Sequence, residues 1–148
     1  VIHGMEVGRP PALDLGAEKR LQAFLRDAIS EGLLQSAHDV SDGGLAVALA
    51  ECCIAGNIGV HADCHAVNAL ELFGERTATA VVSVHSTQEE AIQSLLNRHN
   101  MAFSRFGEVL THESGNWLFI TNSGPDIDLP VARLREAYEG AIPRMMRS

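Results

Sequence analysis

Basic residues are scarce in this chain. Lysine and arginine together number 11 against 19 aspartates and glutamates, a net charge of −8 with histidine neutral. Nucleic acid is held by clustered cations that neutralise phosphates, so this balance argues against a nucleic-acid surface. Cysteine is sparse too: Cys52, Cys53 and Cys64 are the whole set. Two of them are adjacent and cannot easily bridge to each other, and an odd count fits no disulfide framework. A reducing, cytoplasmic compartment is therefore the expectation. Long apolar runs are missing as well. No stretch approaches the roughly 18 apolar residues of a membrane span, and no basic segment followed by an apolar run stands at the amino terminus. Neither membrane insertion nor secretion is expected.

What is present is the material of one ordinary domain: 148 residues, 46% of them hydrophobic, enough to bury a sizeable core. The first sixteen residues, VIHGMEVGRPPALDLG, are rich in glycine and proline and read as a connector from a preceding domain, with the domain proper over 17–148. The other end, EGAIPRMMRS, is short and basic and reads as a natural terminus. The expectation is the last domain of a larger protein.

Periodicity organises the rest. Leu21, Phe24, Leu25, Ala28 and Ile29 form an amphipathic stripe over residues 17–34, with Gly32 at its fraying end. Ser36 to Val40 reads as a short strand. Leu45 to Ala55 is apolar on every side, the mark of a buried helix. Residues 59–64 alternate as a strand, and Ala69 to Phe73 reads as an apolar turn. Residues 76–85, rich in β-branched side chains, are expected to form the central, best-buried strand. Ser86 or Thr87 is placed to cap a helix whose first turn holds Glu89 and Glu90 and whose buried face is Ala91, Ile92, Leu95 and Leu96. Residues 103–111 and 116–121 suggest a hairpin closed by the turn HESGN, where Gly115 and Asn116 suit positive φ. Pro125 and Pro130 break the chain before a closing helix on Val131, Leu134 and Tyr138. Together these predict an α+β fold, a mixed β-sheet with two or three helices packed on one face, not a regular parallel βαβ array.

The informative stretch is SAHDVSDGGLAVALAE, residues 36–51, where two glycines stand at the mouth of a buried helix. Each is about 1 kcal/mol worse than alanine in a helix interior, so something needs the backbone bare. Ser41 or Asp42 is placed to cap the first turn, and glycines without a Cβ let a ligand approach its free N–H groups. Such a terminus suits a phosphate. Asp39 and Asp42 would face away from a bare phosphate or bind it through a cation. The plainer reading makes DGG only a turn with a capped helix behind it. His38 is likewise more often a packed, hydrogen-bonded residue than a base.

HDVSDGGLAVALAE also resembles the carboxy-terminal half of the aminoimidazole ribonucleotide synthetase superfamily, most closely the phosphoribosylformylglycinamidine synthase family. The likeness extends to PPALDLGAEKRLQAFLRDAISEGLLQSAHDVSDGG, to LFGERTATAVVSV at 72–84 and to the final YEGAIPRMM, nearly the whole chain. It implies the fold of the synthetase's carboxy-terminal domain, here the last domain of two fused copies of a two-domain unit. In the first copy, the segment matching Gly74 to Thr77 usually reads Ser-Glu-Ser-Gln, and its polar residues contact the ribonucleotide substrate. Here it reads Gly-Glu-Arg-Thr, so Glu75 matches while Arg76 and Thr77 depart. The resemblance places the catalytic histidine and magnesium-binding acids outside this chain. For the complete enzyme it implies ATP and magnesium, a glutaminase domain or subunit that delivers ammonia, and conversion of a formamide to an amidine. The candidate ligand residues are Ser41, Asp42, Gly43, Gly44 and Glu75, with His38, Asp39, Arg76 and Thr77 beside them and no catalytic residue. The competing reading is a non-catalytic interdomain or structural module with no ligand site.

Three further features carry no candidate chemistry. His61, Asp63 and His65 share one strand face, but a structural zinc site wants four ligands, and no second pair is evident; a polar, solvent-facing edge is expected. Cys52 and Cys53 lack a neighbouring cation to activate a thiol and read as small core residues. Met145 and Met146 suit an interdomain surface or a frayed tail.

Overall fold

The computed structural model describes residues 12–64, 68–110, 115–122 and 124–146. Helix α1 (Leu15–Ser30) is followed by strand β1 (Ser36–Asp39), helix α2 (Gly44–Gly56) and strand β2 (Val60–Cys64). Next come a one-turn helix α3 (Ala69–Phe73), strand β3 (Ala80–Ser83) and helix α4 (Glu89–Arg98), preceded by a 3₁₀ turn at Ser86–Gln88. Strands β4 (Gly107–Val109), β5 (Trp117–Asn122) and β6 (Ile127–Pro130) lead into helix α5 (Val131–Met145). The fold is α+β, as expected, but among the described residues it has two sheets: a ribbon of β1 and β3, and a four-stranded mixed sheet in the order β4-β2-β5-β6.

Two separate apolar clusters hold it. The larger joins Leu49 and Cys53 of α2, Val60, Ala62 and Cys64 of β2, Leu72 of α3, Leu118 and Ile120 of β5 and Val131 of α5. Leu118, Ile120 and Val131 are all but sealed from solvent, and each such side chain contributes roughly 1.5–3 kcal/mol by its burial. The smaller cluster packs Phe24 and Ala28 of α1 on Ile92, Leu95 and Leu96 of α4, with Leu33 between them. Polar links lace its rim: His99 Nε2 lies 2.8 Å from Asp27 Oδ2, and Arg98 donates to Glu31 at 3.3 Å.

Several expectations are corrected. The strand expected at 76–85 is only β3, half-buried and paired with β1 alone; the positive φ of Ala78 interrupts the extended chain before it. The best-buried strands are β2 and β5, because β-propensity reports fit to a pleated surface and not place within a sheet. The expected hairpin does not form. β4 and β5 both pair with β2, antiparallel and parallel respectively, so β2 lies between them. Alternation sets which face is buried but not which strand is the neighbour. Residues 111–114 of the expected turn lie outside the described residues; Gly115 has φ +81°, whereas Asn116 is not in the positive region.

Smaller departures follow the same logic. Pro130 ends an additional strand, β6, which pairs with β5 alone at the sheet's edge, where a missing N–H is tolerated. Residues 69–73 are a helix with a capping box between Asn68 and Glu71, not a turn. His85, and not Ser86 or Thr87, supplies the side chain at the start of the Ser86–Gln88 turn, accepting from the Thr87 N–H. Ile29, Ala91 and Tyr138, expected on buried faces, are exposed. Among the described residues no helix is long and apolar enough to cross a membrane.

Candidate functional site

The two segments singled out in the sequence, 38–44 and 74–77, meet. β1 and β3 pair antiparallel, with Asp39 opposite Ala80, so the chain leaving β1 and the chain entering β3 emerge at the same end of the ribbon. There the Val40 N–H donates to the Thr79 carbonyl at 3.1 Å.

The helix entrance is built on left-handed backbone, with φ +83° at Gly43 and +68° at Gly44, and the Gly44 N–H donates to the Ser41 carbonyl at 2.9 Å. A Cβ on Gly44 would stand 2.6 Å from the Phe73 carbonyl carbon and 2.8 Å from Gly74 N and O. The bare main chain of the entrance is thus filled, on that side, by the main chain leaving α3. At Gly43 a Cβ would meet Val47 Cγ2 at 2.4 Å, a side-chain atom on the helix's own first turn.

The expected side-chain cap from Ser41 or Asp42 does not form. Gly43 itself is the N-cap, left-handed and without a side chain, and among the described residues the helix has no side-chain cap bond there. A capping oxygen has to be carried by the N-cap residue in extended backbone, and Ser41 and Asp42 come before that position. Both are exposed.

His38 is the one half-buried residue of β1. Its Nδ1 lies 2.7 Å from the Asp39 carbonyl oxygen, and its Nε2 lies 3.5 Å from Glu51 Oε2 on α2. That contact ties the two arms flanking the Val40–Gly43 connection and makes His38 a packed, partnered residue. The Asp39 carboxylate points outward, 78% exposed. Glu51 escaped the sequence reading, although one signal was available: it is the sole charged residue in a helix otherwise apolar or glycine.

Glu75 and Arg76 are exposed, and Thr77 is half-buried, its Oγ1 donating to the Ala12 carbonyl at 3.1 Å. Ala78 has φ +50°, a conformation that costs a residue with a side chain about 1–3 kcal/mol. Its N–H donates to Glu18 Oε1 on α1 at 2.6 Å. No sequence signal connects residues 60 positions apart.

Elsewhere, two shallow clefts open on the four-stranded sheet. One of about 410 Å3 is lined by His61, Leu110, Phe119, Thr121, Asp126 and Asp128 among others, and one of about 490 Å3 by His61, Asp63 and residues 104–108. Neither includes any residue of 38–44 or 74–77. His61 and Asp63 point to one face while Val60, Ala62 and Cys64 are buried, as strand alternation requires; the strand is interior, not an edge. His65 lies outside the described residues. Among the described residues no three His, Cys, Asp or Glu side chains gather to hold a metal ion. Burial pushes all three thiols up, Cys53 to about 11; Cys53 and Cys64 are buried in the core, whereas Cys52, expected there too, is only half-buried.

Comparison with known proteins gives the same direction. Residues 2–117 match the family model of the AIR synthase related protein, C-terminal domain. Phosphoribosylformylglycinamidine synthase subunit PurL of Prochlorococcus marinus (strain MIT 9303) is 47% identical over 98% of this chain and 19% of its own length. The PurL subunit of Thermobifida fusca (strain YX) is 43% identical over 98% of this chain and 18% of its own. The chain therefore spans about a fifth of the curated relatives it matches. Among solved structures, T. maritima PurL complexed with FGAR superposes with a TM-score of 0.69 at 20% identity, covering 89% of this chain and 23% of that one. T. maritima PurL complexed with ATP gives 0.67 at 23% identity, covering 82% and 22%. These two show the shared fold.

Proposed function

The chain belongs to the family of AIR synthase related proteins, as their C-terminal domain, and from that premise we propose that it is the final domain of a phosphoribosylformylglycinamidine synthase. In this reading residues 1–16 connect it to a preceding domain and 17–148 form the domain itself. The complete enzyme uses ATP to carry off the formamide oxygen as phosphate, while ammonia from a glutaminase domain or subunit supplies the new nitrogen of the amidine. This domain contributes a scaffold and one wall of a phosphate pocket, and by itself does not form the amidine.

The observation that carries the pocket is the α2 entrance. Its first turn has no side-chain cap and lies beside the loop bearing Glu75, Arg76 and Thr77. The Gly44 N–H is taken by the Ser41 carbonyl; the first-turn N–H donors after it and the helix dipole suit an anionic oxygen, and exposed Arg76 brings a cation to a region that also carries the carboxylates of Asp39, Asp42 and Glu75. The resemblance places the magnesium-binding acids in parts of the enzyme outside this chain. One observation favours the second reading, a structural module with no ligand: the Phe73–Gly74 backbone packed on Gly44 already accounts for that glycine's bareness.

Amide NMR of the chain during titration with inorganic phosphate separates the two. Shifts confined to Gly43–Ala46 and Glu75–Thr77 support the pocket; no shift at either segment, or shifts spread over the whole surface, establishes the structural module. Turnover of formylglycinamide ribonucleotide by the isolated chain would overturn the assignment of chemistry to other domains.

A further inference from the structure

We propose that Glu18 is a positioning residue for the loop carrying Glu75, Arg76 and Thr77, a role that rests on reading this loop as part of the anion-binding wall. The loop holds an alanine, Ala78, in left-handed backbone at φ +50°. Alanine gains nothing there that glycine or asparagine would not supply more easily. A residue in such a conformation persists only where its surroundings over-determine it. Glu18 does this: its half-buried carboxylate accepts the Ala78 N–H at 2.6 Å, a charge-assisted bond of the stronger kind.

The arrangement around it has the same sense. Asp14 accepts from the Gly16 and Ala17 N–H groups and so fixes where α1 begins, which places Glu18 in the helix's first turn. Ala12, just before that cap, takes the Thr77 hydroxyl, and Thr79 Oγ1 donates to the Thr77 carbonyl at 3.0 Å. The start of α1 therefore grips a loop whose exposed members, Glu75 and Arg76, are both charged. Charged residues that only face solvent need no such frame. A loop that has to present two charges at a set place beside the Gly43–Gly44 entrance does.

The test uses the chain itself, uniformly labelled for NMR, with phosphate as the probe. In E18A, amide hydrogen exchange at Ala78 is expected to rise about tenfold or more, the size of a lost hydrogen bond to a charged group. Phosphate affinity read at Arg76 and Thr77 is expected to fall by a similar factor, while Leu118 and Ile120 in the distant core keep their shifts. The double variant E18A/A78G, in which the strain is relieved, should recover most of the affinity, and the unmoved shifts of Leu118 and Ile120 in E18A separate this from a general loss of stability. Unchanged exchange at Ala78 in E18A overturns the proposal, as does failure of A78G to rescue. If the unmodified chain does not respond to phosphate, the pocket reading fails, and Glu18 is then judged by exchange at Ala78 alone. Should E18A not fold, E18Q, which keeps an accepting oxygen but loses its charge, is expected to raise exchange at Ala78 and weaken phosphate binding by a smaller factor, and no change in either overturns the proposal.

Discussion

The molecule's first two helices begin in opposite ways. At the entrance to α1, Asp14 stands in extended backbone and its carboxylate accepts the N–H groups of Gly16 and Ala17 at 2.8 and 3.0 Å. At the entrance to α2 there is no side chain to do this. Gly43 and Gly44 turn the chain through positive φ, and Gly44 is pressed against the backbone of Phe73 and Gly74. The first start is local and exposed; the second is made by a segment about thirty residues further along the chain. A helix start made by main chain alone depends on the segment packed against it and not on a capping side chain.

The sharpest test of this contrast is Gly44→Ala. A methyl group there meets backbone atoms that cannot swing aside, and left-handed strain of about 1–2 kcal/mol adds to an overlap costing about 1–3. Thermal unfolding should show a loss of about 3 kcal/mol or more; a variant as stable as the parent would mean that α3 does not pack on the entrance. A related test lies deeper in α2. Burial holds the Cys53 thiol up at about 11 against an ordinary 9.0, so its contribution to stability is complete below pH 9 and is lost as pH rises toward 11. Denaturant midpoints should fall over that window, and Cys53→Ala should flatten the fall.

Gly43→Ala probes the same entrance without touching another segment's main chain, because the conflicting atoms, Cγ2 and Cβ at 2.4 and 2.9 Å, belong to the Val47 side chain of the helix itself. A loss of about 1–2 kcal/mol is expected, chiefly from backbone strain. The smallest effect belongs to α1. Hydrogen bonds from Ala17 and Gly16 hold the Asp14 carboxyl below its ordinary 3.8. Its contribution is therefore present above that value and lost as pH falls through the lower folded-state one. Asp14→Asn, which keeps a capping oxygen, should remove that acid dependence and little else, as followed by helical circular dichroism between pH 5 and 2.

Much of this contrast was legible in advance, but unevenly. The apolar stripe of α1, the all-round apolar α2 and the alternation of β2 each follow from side chains a few positions apart; α2 and β2 stand within a residue of where periodicity put them, while α1 starts two residues earlier and ends at Ser30, not at 34. The glycine pair was legible as a place where the backbone is bare. What bares it was not, because the group that fills the space, the Phe73–Gly74 main chain, arrives through tertiary packing. The same holds for the corrected elements. The segments behind β4 and β5 had the pattern of strands, yet β2 comes between them. The pattern at 76–85 is that of a strand at the heart of a sheet, yet it forms half of a two-stranded ribbon. Glu18 and Glu51 acquire their roles from partners on other elements, Ala78 and His38, and have no local sign of them beyond Glu51's isolation as a charge.

The amino-acid sequence by itself determined the α+β class, the positions of most helices, the buried faces of α2 and β2, and kinship with the AIR synthase related proteins. These depend on the spacing of apolar side chains and on short motifs, both properties of neighbours along the chain. The tertiary structure alone decided the strand order, the division into two apolar clusters, and the meeting of the Gly43–Gly44 entrance with the loop that Glu18 holds. Those depend on which surfaces find each other once water is expelled, and contacts between residues sixty positions apart leave no period in the sequence to be read.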